Sequence, residues 1–186
     1  MKRTIVAAAA LVALAACGGK AGGSTPEDVF EQAKKAGTAK DYKTFYACVD
    51  PDGADGLLMG VCLGAGFSCM DDKDAQKELE AITTRHGLKK DDNKPLGLGD
   101  RAKAKEAAKE MFKDVKDRPA LFSELMAFTD KHSKGKKSLG DELDGTTLKD
   151  LKVEGATAKA KQLLKTGKES DIAFVKRDDR WYLSFE

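Results

Sequence analysis

Histidine is nearly missing from this chain: His86 and His132 are the two among 186 residues. Neither has a cysteine, serine or carboxylate at a spacing that would mark a zinc site or a nucleophile–base pair, so metal-assisted hydrolysis and triad chemistry have no visible carrier. Each falls in the last turn of an expected helix, where an imidazolium sits well against the helix dipole. The four cysteines contain no Cys-x-x-Cys, which removes the common zinc-ribbon and thiol-exchange motifs. Long hydrophobic runs are absent too. The uncharged stretches Thr4 to Ala16 and Leu57 to Met70 hold 13 and 14 residues, whereas a spanning helix needs about 20. An excess of one charge is also lacking, with 33 basic against 31 acidic residues. With a net charge of only +2 and no clustered basic face, nucleic acid is not an expected partner.

What is present begins with an address. Lys2 and Arg3 precede the apolar run Thr4 to Ala16, the pattern of a signal peptide over residues 1–16. The run closes on Leu14-Ala15-Ala16-Cys17, which resembles the lipobox of bacterial lipoproteins. That resemblance implies diacylglycerol on the Cys17 sulfur, cleavage before it and acylation of the new amino terminus. More than one acyl chain, at about 0.8 kcal/mol per buried methylene, makes such attachment effectively permanent. Gly18, where an aspartate would imply inner-membrane retention in that family, points to the outer membrane. Gly18 to Ser24 is expected to be a flexible tether, residues 17–24 including the lipidated cysteine. Removing residues 1–16 takes away Lys2 and Arg3 and no acid, so the remainder carries 31 basic and 31 acidic residues.

Residues 25–186 are expected to form one domain. Thr25 caps a helix with Pro26 at its first position and Asp28 as the reaching acid; Val29, Phe30, Ala33 and Ala36 give its apolar face, and Gly37 its stop. A second capping pattern, Thr38 to Asp41, opens a helix burying Tyr42, Phe45, Tyr46 and Val49. Asp50 to Gly56 has carboxylates beside glycine, but Ala54, Asp55 and Val61 occupy calcium-loop positions five, six and twelve, so it reads as a turn. Leu57 to Met70, uncharged throughout and carrying Gly60, Gly64 and Ser68 every fourth residue, is expected to be the central buried helix. Within one helix Cys62 and Cys69 lie about 10.5 Å apart along the axis, beyond disulfide reach. A bridge therefore joins Cys48 to Cys62 or Cys69, or all three stay reduced.

Asp71 or Asp72 caps the next helix, bearing Ala75, Leu79 and Ile82 and ending at Gly87 and Leu88. After a loop over Lys89 to Gly99, Asp100 opens a helix with Ala104, Ala108, Met111, Phe112 and Val115 on one face. Arg118-Pro119 ends it, and Leu121, Leu125 and Phe128 mark its successor. Beyond Lys134 the period changes to two: Leu151 and Val153, Ala156 to Ala160, Ile172 and Phe174, then Trp181, Leu183 and Phe185. This is a β-meander with a tight Arg177-Asp178-Asp179-Arg180 hairpin. The fold class is α+β.

The capped helices followed by that meander resemble the bacterial lipoproteins with a nuclear-transport-factor-2-like domain, over residues 25–50 and 148–186. The resemblance implies a curved sheet around helices, with a cone-shaped cavity that relatives use for small ligands, catalysis or protein contacts. The helical stretch Gly56 to His132 is longer than that pattern. No cofactor, metal or catalytic residue is assigned. The expected role is a lipid-anchored, non-catalytic module that binds a small ligand or docks an envelope protein. A structural envelope component is the alternative, and an enzyme using buried carboxylates a third. Against the third, Asp171 falls on the strand face opposite Phe174.

Overall fold

The computed structural model describes residues 21–88, 101–132 and 138–185. The signal segment, Leu14 to Cys17, the start of the tether, the loop Lys89 to Gly99 and Asp100 lie outside them. The fold is α+β as expected, with helices first and an open antiparallel sheet at the end.

Helix α1 (Pro26–Thr38) starts where Thr25 accepts the Asp28 amide at 3.1 Å, while Asp28 itself reaches back to the Ser24 hydroxyl. It runs through Gly37 to Thr38, two residues further than expected, and the chain turns at Lys40, which takes the left-handed conformation (φ 57°). Thr38 is therefore the last residue of α1 and no cap. Asp41 caps α2 (Tyr42–Ala47), accepting from the Thr44 amide. Gly37 serves packing: a Cβ on Gly140 would stand 2.7 Å from the Gly37 carbonyl oxygen. Gly140 lies in α7 (Leu139–Leu143), a short helix that the sequence reading missed although Ser138 and Asp141 form a reciprocal capping box.

Helix α3 (Pro51–Ser68) is capped by Asp50, α4 (Lys73–Arg85) by Asp72. At the end of α4, Leu88 donates to the Thr83 carbonyl and Gly87 (φ 81°) to that of Thr84, the Schellman pairing. Helix α5 (Arg101–Met111) ends before Phe112 and Val115, which stay buried in the following turn. Helix α6 (Arg118–His132) packs against α2, α3 and α4 and buries Leu121, Phe122, Leu125 and Phe128. The central helix is therefore α6. Helix α3, expected in that place, buries Ala54, Leu58, Met59 and Ala65 on one side and exposes Gly56, Gly60, Gly64 and Phe67 on the other. Among the described residues, nothing beyond α3 itself lies within 4 Å of where a Cβ on Gly60 or Gly64 would be, so none of their backbone packs on that ridge.

The sheet runs β1 (Thr147–Glu154), β2 (Thr157–Leu163), β3 (Glu169–Arg177), β4 (Arg180–Ser184) in sequence order. Its core face carries Ala158, Ala160, Phe174, Trp181 and Leu183, all buried, and meets α1 through β4. Asp178 and Asp179 both take positive φ (46° and 63°) in the β3–β4 turn, as the expected primed hairpin requires. The β1 edge is blunted by lysines and by a register shift between Lys149 and Lys152, where Asp150 turns left-handed (φ 52°). The β4 edge is covered by two other parts of the chain, and that is where the candidate site lies.

Candidate functional site

Three segments distant in sequence meet along β4. Gly23 exchanges both backbone hydrogen bonds with Trp181 at 2.8 Å. Next to it, Leu183 donates to Cys48 and receives from Asp50, again at 2.8 Å. Gly22 (φ 77°) donates to the Ala47 carbonyl at 3.2 Å, and a Cβ on it would lie 2.7 Å from the Trp181 carbonyl oxygen. Glycine is required there by both conformation and space. Arg180 reaches the Ala21 and Gly22 carbonyls. The expected tether through Ser24 is thus corrected at its far end, because Gly22 and Gly23 are buried parts of the domain.

The first turns of α3 hold three aspartates, two of which meet one arginine. Asp50, 1% exposed, takes Arg177 as a fork, Nε to Oδ1 at 3.1 Å and Nη2 to Oδ2 at 3.2 Å, and the same guanidinium lies 2.8 Å from Asp52. A buried carboxylate needs such a partner. The Asx turn of the sequence reading is therefore an N-cap locked to the β3–β4 hairpin. Asp55, one turn on, accepts from Arg118 Nε at 2.8 Å. Arg118 also donates to the Phe112 and Val115 carbonyls, so it closes the end of α5 while starting α6.

Between these pairs lies a groove of about 450 Å³ lined by Tyr46, Pro51, Ala54, Lys116, Pro119 and Tyr182, with Asp55, Arg118 and Ala21 at its margins. Tyr46 is 7% exposed, and its hydroxyl has no hydrogen-bond partner among the described residues. Its ring packs on Phe122 with centroids 5.1 Å apart. Burial pushes the phenol up to about 12; Asp55 adds to the rise and Arg118 opposes it. At neutral pH the group is a hydrogen-bond donor and acceptor and not a base. Tyr42, whose expected environment was the same, differs in having a partner: its hydroxyl donates to Asp130 at 2.6 Å.

The histidines gain carboxylates that sequence spacing does not reveal. His132 Nε2 lies 3.1 Å from Glu78, which also takes Lys131 at 2.8 Å. His86 Nε2 lies 3.2 Å from Glu124, without the alignment of a hydrogen bond; Arg85 shares that carboxylate. The two pairs cross between α4 and α6, and only the facing of those helices brings them together. Hydrogen bonds from Lys131 and then His132 hold the Glu78 carboxyl below its usual range. These are inter-helix ties: among the described residues no group of three His, Cys, Asp or Glu is placed to hold a metal ion.

Cys48, Cys62 and Cys69 are free thiols, so the expected bridge from Cys48 to Cys62 or Cys69 is not formed. The length of α3 explains this. Cys48 precedes the Asp50 cap by two residues, about 7 Å of chain at most, while Cys62 and Cys69 lie about 18 and 28 Å along the axis from that cap. Disulfides span less than about 7 Å between Cα atoms. Burial pushes Cys48 up to about 11 and Cys62 up to about 12, the behaviour of unreactive structural thiols. No family model matches the chain, and neither does any curated protein or solved structure.

Proposed function

We propose that this is a lipid-anchored envelope protein that binds a small ligand or an envelope protein segment in the groove beside Tyr46, without catalysing a reaction. The observation that carries this reading is the unpartnered, buried Tyr46 hydroxyl in a groove with apolar walls. A buried hydroxyl left unpaired costs about 1–3 kcal/mol, and an occupant with one polar atom against apolar bulk relieves it. Lys116, exposed at the rim, favours an occupant that carries negative charge. Support for the anchor is Leu14-Ala15-Ala16-Cys17. The likeness to nuclear-transport-factor-2-like lipoproteins belongs to this proposal, supported by the capped first helices and the four-stranded meander. The cone is not part of it, because the sheet face that would line one is packed with Phe174, Trp181 and Leu183.

Two measurements test the reading. Cys17→Ser moves the chain from the membrane to the soluble fraction; retention in the membrane overturns the anchor. Native mass spectrometry of the detergent-extracted chain shows a reproducible adduct that Lys116→Glu and Tyr46→Phe diminish. A bare chain, or an adduct indifferent to both changes, overturns the groove.

A further inference from the structure

We propose that α3 lies along the bilayer surface with Phe67 and Met70 inserted at the interface, as a second attachment point that fixes how the domain sits on the membrane. The inference rests on the lipid-anchored reading. From Leu57 to Met70 the chain carries no charge, yet only one side of the segment is buried. Phe67 is 72% and Met70 63% exposed, the most exposed of the large hydrophobics described. At 100° per residue, Gly56, Gly60, Leu63, Gly64 and Phe67 fall within an arc of about 100°, opposite the buried Ala54, Leu58 and Ala65. A water-facing helix ordinarily carries polar residues on its outer face. One that carries none over about three turns has a surface matched to an apolar medium.

The chain's own amino-terminal end identifies that medium. Ala21 lines the same groove as Pro51 and Ala54 in the first turns of α3. Gly22, whose amide is hydrogen-bonded to α2, is five residues from Cys17, a reach of at most about 17 Å. Acyl chains on Cys17 would therefore enter the bilayer close to one end of α3. Phe67 and Met70 stand at the other end of an 18-residue helix, about 27 Å away. Without side chains at Gly60 and Gly64, the helix axis can approach the interface closely. An apolar contact by a chain of balanced charge does not depend on anionic lipid.

The test uses the full lipidated chain, reconstituted in phosphatidylethanolamine/phosphatidylglycerol vesicles doped with brominated-acyl phosphatidylcholine. The one native tryptophan, Trp181, is buried on the sheet and supplies the unquenched background. Phe67→Trp is expected to lose most of its added emission to the bromines, whereas Val153→Trp, at an exposed site on the β1–β2 arm, keeps its own. Replacing phosphatidylglycerol by phosphatidylcholine leaves both results unchanged. If the chain binds vesicles but Phe67→Trp is not quenched, the α3 proposal fails and the anchor stands. Equal quenching at both positions also overturns it, since no particular face then meets the lipid. If the chain does not bind the vesicles, anchor and α3 proposal fall together.

Discussion

Helices α3 and α6 exchange the roles that their compositions suggest. Helix α6 carries Arg118, Glu124, Asp130, Lys131 and His132, yet Leu121, Phe122 and Leu125 are completely buried and three helices pack around it. Helix α3 has no charge beyond Asp55 and leaves a whole face open. Composition records what medium a helix tolerates, whereas position in the fold depends on the size of the side chains that neighbouring faces grip. On α6 those are two phenylalanines and two leucines at helical spacing; on the open side of α3 they are mostly glycines, which offer nothing to grip. An all-apolar surface helix is thus suited to an apolar medium outside the protein, not to the middle of its core.

The largest expected effect tests that contrast directly. Phe122 stacks on Phe45 with centroids 6.1 Å apart and touches Tyr46, so Phe122→Ala removes a buried ring from the centre and lowers unfolding free energy by about 3–5 kcal/mol. Phe67→Ala stays within about 0.5 kcal/mol in detergent-free solution of the unlipidated chain. Denaturant titration of both variants decides it; a loss at Phe67 comparable to that at Phe122 would place α3 inside a protein core after all.

Second is the Asp50–Arg177 fork. Asp50→Ala removes a helix cap worth about 1 kcal/mol and the carboxylate partner of a half-exposed guanidinium that remains free to hydrate, so the expected loss is about 2–3 kcal/mol. The exposed Lys161–Asp171 pair, at 2.5 Å, contributes little despite the shorter distance, because water screens it. A smaller loss for Asp50→Ala than for Asp171→Ala would show that burial does not set the ranking.

How much of this was legible in the sequence follows the range of the interactions. Thr25, Asp72 and Gly87 act within one turn of themselves, and the Asp178-Asp179 hairpin is local; all four announce themselves by residue type. The alternation of Ala158 and Ala160 also reads directly, because a strand's two faces meet different media. Arg177 and Asp50 stand 127 residues apart and no short-range pattern connects them; the same holds for His132 with Glu78. The groove at Tyr46 was illegible for a different reason: Tyr42 and Tyr46 occupy the same face of one helix, and only tertiary packing gives a partner to one hydroxyl and withholds it from the other. Helix α7, whose Ser138–Asp141 box was readable, was hidden by its five-residue length.

The third effect separates the two cysteines that stand near the ends of the comparison. Cys48 is 1% exposed and its pKa rises from 9.0 to about 11. A raised thiol pKa means that the unfolded chain ionises first, so the folded state binds more protons between these values. Stability is intact below about pH 9 and falls as pH rises toward 11, by about 1.4 kcal/mol per pH unit for one group. Cys62, although pushed up further, is only half-buried on α3, and solvent discounts its share. Cys48→Ala therefore flattens the alkaline limb of a stability–pH curve more than Cys62→Ala does; the reverse order would mean that α3 is the drier environment.

The smallest effect carries a sign as its signature. Glycine in an exposed helix interior costs about 0.5–1 kcal/mol relative to alanine, because it has more backbone freedom to lose. Among the described residues nothing beyond α3 itself stands within 4 Å of a Cβ on Gly60 or Gly64, so Gly60→Ala and Gly64→Ala each stabilise the unlipidated chain by about that amount. At the α1–α7 crossing the same chemistry acts in reverse. A Cβ on Gly140 meets the Gly37 carbonyl oxygen at 2.7 Å, backbone that cannot rotate away, so Gly140→Ala destabilises by about 1–3 kcal/mol. Thermal melts of the three variants against the parent give one sign on α3 and the other on α7. A destabilising Gly60→Ala would reveal a contact on the open face of α3, and the space assigned to lipid would belong to protein instead.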